Sequence, residues 1–230
     1  MFNESIMSAA LDEGTYRSIH EVMERMQPQQ PYLTFDHPAV AARLSMYGST
    51  TMGVEPYTYP SIPAGVYGAQ VTPYDSVGFP PKSFGFIHMR WPRLDDGNTV
   101  RNALRWLMEG GVLMVEQPDA YPARSLAYGS YRSVVGMVLA RAGFSVMTDL
   151  PGSLMRSGLK EVGCRHERLS TDPFHVMLQS LIEHYAPWDV VRQEDLKEWP
   201  IDGESSEPGI VNIVSWGLKR TVDHNRYIER

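Results

Sequence analysis

Apolar positions change their period along the chain, and each change marks an element. Between residues 5 and 26, Ile6, Ala9, Ala10, Tyr16, Ile19, Val22, Met23 and Met26 recur at three- and four-residue spacing, the stripe of an amphipathic helix. Gly14 weakens its middle and offers a point of division into two helices. The polar break Gln27-Pro-Gln-Gln-Pro31 follows, then a short strand, Tyr32 to Phe35. Pro38 suits a first helical turn and leads into a helix from Val40 to Met46, which Gly48 ends. Thr50 to Val54 is a second strand, closed by Glu55-Pro56.

The next crossover departs from a regular helix. Residues 57–69 hold two prolines and two glycines, which disfavour a helix. An irregular segment carrying Tyr57, Tyr59 and Tyr67 is expected there, followed by a short third strand at Gln70 to Thr72 and a turn-rich link to Ser83. Tyr74 lies in that link.

Residues 84–118 are the centre of the chain. The apolar run Phe84-Gly-Phe-Ile-His-Met-Arg90 is followed by a helical stretch from Thr99 to Glu109, then Gly110-Gly111, then a second apolar run, Val112 to Val115, ending at Glu116. This order predicts a strand–helix–strand unit with parallel strands. Gly110-Gly111 is its expected helix stop, because glycine enters the left-handed region at little cost. His88, Arg90, Glu116 and Asp119 then fall at the C-terminal ends of strands, the edge where open α/β sheets bind ligands.

Beyond it, the pattern predicts a helix at 130–142, a short helix over 149–158 capped by Gly158, and a polar-alternating edge strand from Glu161 to Ser170. A helix follows at 174–185, with a shorter one joined at Pro187, then a loop at 202–208 and a last strand from Ile210 to Trp216. The expected organisation is an N-terminal helical segment over 1–30 and one α/β domain over 31–230, with a helical annex at about 171–206.

Composition narrows the function classes. The formal charge is −6 and the pI near 5.6, with no basic stripe, which argues against nucleic acid as the main partner. No apolar stretch reaches the ~18 residues of a membrane span. The first residues lack a basic and an apolar signal region, so a cytoplasmic location is expected. The single cysteine, Cys164, excludes an internal disulfide and a Cys-rich zinc site. No HExxH and no clustered ligand spacing is present, so no metal is assigned.

Several stretches together resemble class I S-adenosylmethionine (SAM)-dependent methyltransferases over nearly the whole chain. Ser83-Phe-Gly-Phe-Ile-His-Met-Arg-Trp91 is similar to the family's fourth-strand segment, and Leu107-Met-Glu-Gly-Gly-Val-Leu-Met-Val-Glu116 to its fifth. Leu154 to Gly163 resembles the stretch before its sixth strand, and Val214-Ser-Trp-Gly-Leu-Lys-Arg220 the closing stretch of a bacterial small-molecule tailoring branch. Met52-Gly-Val-Glu-Pro56 resembles its second strand. The resemblance implies a Rossmann-like, seven-stranded, mostly parallel sheet with an antiparallel last strand, N-terminal helices and a small annex. It implies SAM as cofactor and a small-molecule, natural-product acceptor. It also implies that Glu55 binds the ribose hydroxyls of SAM, with Asp36, His37 and Tyr74 lining the cofactor site and Tyr121, Tyr128 and Tyr131 the acceptor pocket.

The family's first loop is glycine-rich, whereas the matching places here are Asp36, Pro38 and Val40, and the family's fourth-strand aspartate is Gly85. A Cβ at each loop place is expected to narrow the gap. Two further readings stay open beside methyl transfer. One is a SAM-independent cyclase or isomerase in the same pocket. The other is an inactive partner subunit of an active methyltransferase, and homodimer or heteromer formation would accompany it.

Candidate side chains carry alternatives too. Glu55 is a ribose acceptor or a solvated acid closing a strand. His88, with a pKa near neutrality, is a candidate general base, and Arg90 a candidate bidentate carboxylate clamp. If the strand pleat continues through them, both face one side; the other reading of His88 is a packed, hydrogen-bonded core histidine. Asp36 and His37 form either a catalytic pair or the cap region of the helix from Pro38.

Overall fold

The computed structural model describes residues 4–35, 37–54, 61–70, 78–92, 98–120, 149–168 and 210–220. The expected helices at 130–142 and 174–185, the annex, and Asp36, Glu55, Tyr57, Tyr59, Tyr74, Tyr121, Tyr128 and Tyr131 lie outside these residues.

Seven strands form one sheet in the order β3-β2-β1-β4-β5-β7-β6. They are β1 Tyr32–Phe35, β2 Thr50–Val54, β3 Val66–Gln70, β4 Phe84–Arg90, β5 Leu107–Ala120, β6 Lys160–Arg168 and β7 Ile210–Leu218. Pairings β1–β2, β2–β3, β1–β4 and β4–β5 are parallel, and β7 runs antiparallel to both neighbours, β5 and β6. This is the seven-stranded, mostly parallel sheet with an antiparallel last strand that the resemblance implied. Four helices are described: α1 Glu4–Met26, α2 Pro38–Ser45, α3 Asn98–Trp106 and α4 Leu150–Arg156.

Central strands buried on both faces are apolar along most of their length, and the two faces divide the core. On one, Tyr32, Phe86, Val112, Met114, Val214 and Trp216 pack under Ile19, Val22 and Met23 of α1 and Val40 and Leu44 of α2. On the other, Leu33, Ile87, Met89, Leu113 and Val115 pack against Ala103 and Trp106 of α3 and Leu150 and Leu154 of α4. Alternation along β4 therefore sends Phe86, His88 and Arg90 to the α1 face.

Three expectations change, and the first-turn place expected for Pro38 is met. Gly14 does not divide α1, which is continuous; a Cβ there would lie 2.8 Å from Cγ of Glu167, so the glycine lets α1 lie close against β6. Helix α2 begins at Pro38, ahead of Val40. The third strand is Val66–Gln70, where Thr50 to Val54 of β2 find in-register partners and Val66 packs on Ala41, Met52 and Val54. Helix α3 stops at Trp106, before the Gly-Gly pair. The carbonyls at its end are claimed from outside: Ser83 donates its N–H to Trp106, Lys82 to Arg105, and the Lys219 ammonium donates to Leu104 and Leu107. Gly110, at φ +74°, instead sits in an irregularity where β5 advances from Leu107 to Val112 while β4 advances only from Phe84 to Phe86.

The short helix over 150–156 behaves as expected. Asp149 caps it by accepting from the Gly152 N–H at 2.9 Å, and Gly158 follows at φ +92°.

Gly85 lies at the start of β4, opposite the ligand edge, and donates its N–H to the Pro31 carbonyl at 2.9 Å. A Cβ there would land on the backbone carbonyl of Gln29. Close passage of another backbone thus accounts for glycine at this position, and its replacement of an acid leaves the C-terminal edge untouched. Gly85→Ala is expected to lower the unfolding free energy by about 3 kcal/mol or more, because the clash is with backbone that cannot step aside. Gly65→Ala should cost only about 1 kcal/mol, since it has φ +81° but open space around it. Urea denaturation of both variants measures the difference.

Candidate functional site

Strand order reverses between β1 and β4, because β1 leads outward to β2 and β3 while β4 leads the other way to β5. In an open α/β sheet the crevice outside such a switch point is where ligands bind. The tips of β1 and β4 bring Thr34, His37, His88 and Arg90 to this place.

His88 is completely buried between two partners. Its Nε2 lies 2.6 Å from Oε1 of Glu116 on β5, and its Nδ1 lies 2.8 Å from Oγ1 of Thr34 on β1. Burial alone would raise the Glu116 pKa, but the Arg90 charge and hydrogen bonds from His88 and Asn212 outweigh it and hold the carboxylate well below its usual range. An ionised Glu116 accepts from His88, which assigns the proton to Nε2. The bare Nδ1 then accepts from the Thr34 hydroxyl. Burial lowers the His88 pKa, with the Glu116 hydrogen bond opposing it, so the ring is neutral near pH 7.

Two further elements, α1 and β7, converge on the same carboxylate. The Thr15 hydroxyl of α1 is 2.9 Å from both oxygens of Glu116, and Asn212 of β7 donates its amide to Oε2. Arg90 donates from Nη2 to Thr15 at 2.7 Å and from Nη1 to Asp12 of α1 at 2.7 Å, while its Nε stands 3.5 Å from Glu116. Asn212 in turn accepts from the Trp91 indole at 3.1 Å. Trp91 has φ +48°, a strained backbone for a bulky side chain. Its N–H bond to the Glu116 carbonyl and its indole bond to Asn212 hold it there.

His37 sits at the N-cap of α2 without making a side-chain cap bond. Its ring meets that of His88 edge-on, with centroids 6.2 Å apart. Burial, helped by the positive charge of Arg90, pushes its pKa down to about 3. By position His37 is the N-cap residue of α2, within the cap region expected for Asp36 and His37. The Val40 side chain turns into the core with Tyr32 and Phe86, so its Cβ does not narrow the crevice as expected from the sequence.

His88 and Arg90 therefore share one face, as the pleat required, and His37 meets His88 there from the start of α2. Tyr67 stands on edge strand β3, 69% exposed. Asp12, Thr15, Thr34, Trp91 and Asn212 were not singled out as site residues. Their signal was present as single polar residues in otherwise apolar patterns: Thr34 within Tyr32–Phe35, Asn212 within Ile210–Trp216, and Thr15 and Ser18 beside Ile19 and Val22.

No protein-family model matches the sequence, and no curated protein sequence matches it. Solved structures do match. A candidate methyltransferase of Bacillus halodurans superposes with TM-score 0.58 at 14% identity, over 89% of this chain and all of that one. Loganic acid methyltransferase with S-adenosylhomocysteine gives 0.55 at 10% identity, over 95% of each chain. Phosphoethanolamine N-methyltransferase 2 of Haemonchus contortus, in complex with SAM, gives 0.54 at 12%, over 90% of this chain and 53% of that one. At these identities the likeness establishes the class I methyltransferase fold.

The depressed histidine at the N-cap makes a pH prediction. A histidine whose pKa falls on folding binds fewer protons in the folded than in the unfolded state, so stability rises with pH through the window between the two values. For His37 that window runs from about 3 up to the ordinary 6.5. Its contribution is complete above pH 6.5 and is lost as pH falls below it. His37→Phe should flatten the decline in unfolding free energy between pH 7 and pH 4, measured by urea denaturation at each pH. An unchanged pH slope would contradict the placement of the ring.

Proposed function

We propose that the chain is a methyltransferase that takes its methyl group from SAM bound over the tips of β1 and β2 and passes it to a small-molecule, natural-product-like acceptor. The observation that carries this reading is the switch point: the crevice between β1 and β4 on a methyltransferase-type sheet, with Glu55 the residue after β2. In this reading Glu55 receives the ribose hydroxyls, and Asp36, His37 and Tyr74 border the rest of the cofactor.

The described residues fit such a cofactor without the glycine loop. Val40 turns its side chain inward, so the crevice side of that helical turn carries no added bulk. Helix α2 opens at the crevice with no side-chain cap from His37, and its first amides and dipole suit the carboxylate of an amino-acid moiety. His37, uncharged at neutral pH, adds no positive charge beside a sulfonium. The network beneath holds two carboxylates, Asp12 and Glu116, to one guanidinium, Arg90, and this balance favours a cationic ligand.

When bound, the cofactor supplies an electrophilic methyl group. The chain's own part is placement and exclusion of water, which suffices for an in-line displacement by a good nucleophile. His88 has both ring nitrogens engaged in a closed interior, so it acts as a positioning residue, fixing Thr34 and the β1 tip against Glu116. Tyr121, Tyr128 and Tyr131, after β5, are proposed to line the acceptor.

Calorimetric titration with SAM and with S-adenosylhomocysteine tests the reading. Micromolar binding is expected, weakened at least about tenfold in Glu55→Ala, the loss of ~1.4 kcal/mol or more from a ribose contact. No heat and no thermal shift at millimolar ligand would end it.

A further inference from the structure

Helix α1 is held in two different ways. Its second half is anchored by apolar packing, with Ile19, Val22 and Met23 in the core, and by the surface pair Glu21–Arg165 at 2.6 Å. Its first half meets the ligand edge through charge. Arg90, at the tip of β4, gives Nη1 to the Asp12 carboxylate and Nη2 to the Thr15 hydroxyl, each at 2.7 Å. The guanidinium side chain is 1% exposed, whereas Asp12, on its outer side, is 14% exposed. A buried arginine at the switch point, backed by Glu116 at 3.5 Å and gripping Asp12 and the Thr15 hydroxyl with its two outer nitrogens, is a built carboxylate site whose outer position is occupied by the chain's own carboxylate.

We propose that Asp12 is an internal stand-in for a carboxylate on the acceptor, which takes its place on Arg90 when the first turns of α1 lift. The name acceptor rests on the methyl-transfer reading; the site itself does not. The carboxylate is the handle by which the small molecule is held.

Exchange is the physically cheap route. Without Asp12, Arg90 keeps only Glu116, which stands 3.5 Å from Nε and is shared with His88, Thr15 and Asn212, and a second carboxylate in the place of Asp12 restores the short pair at Nη1. A neutral molecule offers no such replacement, so the contact selects for charge. Asp12 is tethered and therefore present at high effective concentration. A bare carboxylate ion competes poorly with it, and a true acceptor must add contacts elsewhere. The apolar second half of α1 stays packed during the exchange, so the helix opens without leaving the sheet.

Calorimetric titration with benzoate, and with benzamide as its uncharged counterpart, tests this in the wild type, in Asp12→Ala and in Asp12→Ala/Arg90→Met. Asp12→Ala is expected to bind benzoate at least about tenfold more tightly than the wild type does, and at least about tenfold more tightly than it binds benzamide. The double variant, which removes both charges together, should lose this preference. If Asp12→Ala does not fold, Asp12→Asn, nearly identical in shape, takes its place with the same expectations. Equal affinity for benzoate and benzamide, no benzoate binding in the folded Asp12 variant, or binding that survives Arg90→Met overturns the proposal. None of these titrations contains SAM. A chain that binds benzoate in this way but gives no heat with SAM keeps the carboxylate site and loses the methyl-transfer reading, and the reverse pattern does the opposite.

Discussion

The buried carboxylate of Glu116 is the constraint around which the ligand edge is built. A charge removed from water is tolerated only when its oxygens are fully hydrogen-bonded and a counter-charge lies close. Here the donors come from separate elements: His88 of β4, Thr15 of α1 and Asn212 of β7, with Arg90 as the counter-charge. Satisfying one residue therefore fixes the relative positions of three strands and a helix. Thr34 extends the chain to β1 through His88, and Asp12 extends it outward through Arg90. The strained backbone at Trp91 persists because the same network holds it from two sides.

Apart from Arg90, the member proposed to exchange its carboxylate, this network is support. The network occupies the sheet face under α1, while the crevice opens at the tips of β1, β2 and β4. A reaction that depends on in-line placement rather than on proton transfer benefits from rigid walls of this kind. Replacement of the glycine-rich loop is less of an obstacle than its residue types suggest. Val40 spends its side chain on the core, Pro38 opens a helix, and His37 is held neutral against His88. Gly85 answers to the backbone of Gln29 at the opposite edge.

The sheet was legible in the sequence wherever burial on both faces imposed a continuous apolar run, as in Phe84–Arg90 and Ile210–Trp216. The antiparallel last strand came from the family resemblance, and the sheet bears it out. Element ends were less legible. Nothing local in Leu107–Glu109 says that the helix has stopped; Lys219, more than a hundred residues away in sequence, takes the carbonyls at its end. The third strand was displaced because a short, half-exposed edge strand is set by its neighbour's register more than by its own pattern. His88 and Arg90 were visible as polar residues at a strand tip. Their partners were not, since Asp12 lies 78 residues from Arg90 and Thr15 lies 101 from Glu116. Only the pleat and the sheet order bring them to one point.

The most direct test of this hub is amide hydrogen exchange in Glu116→Gln. The amide would present donors to Asn212 and Arg90, which are donors themselves, and breaking such a buried network costs about 3–5 kcal/mol. If Glu116 organises the edge, exchange should rise together in the first half of α1, at the tips of β4 and β5, and at the facing end of β7. The second half of α1 and the opposite edge should keep their protection. An exchange pattern unchanged from wild type, or one that rises uniformly across the sheet, would contradict it.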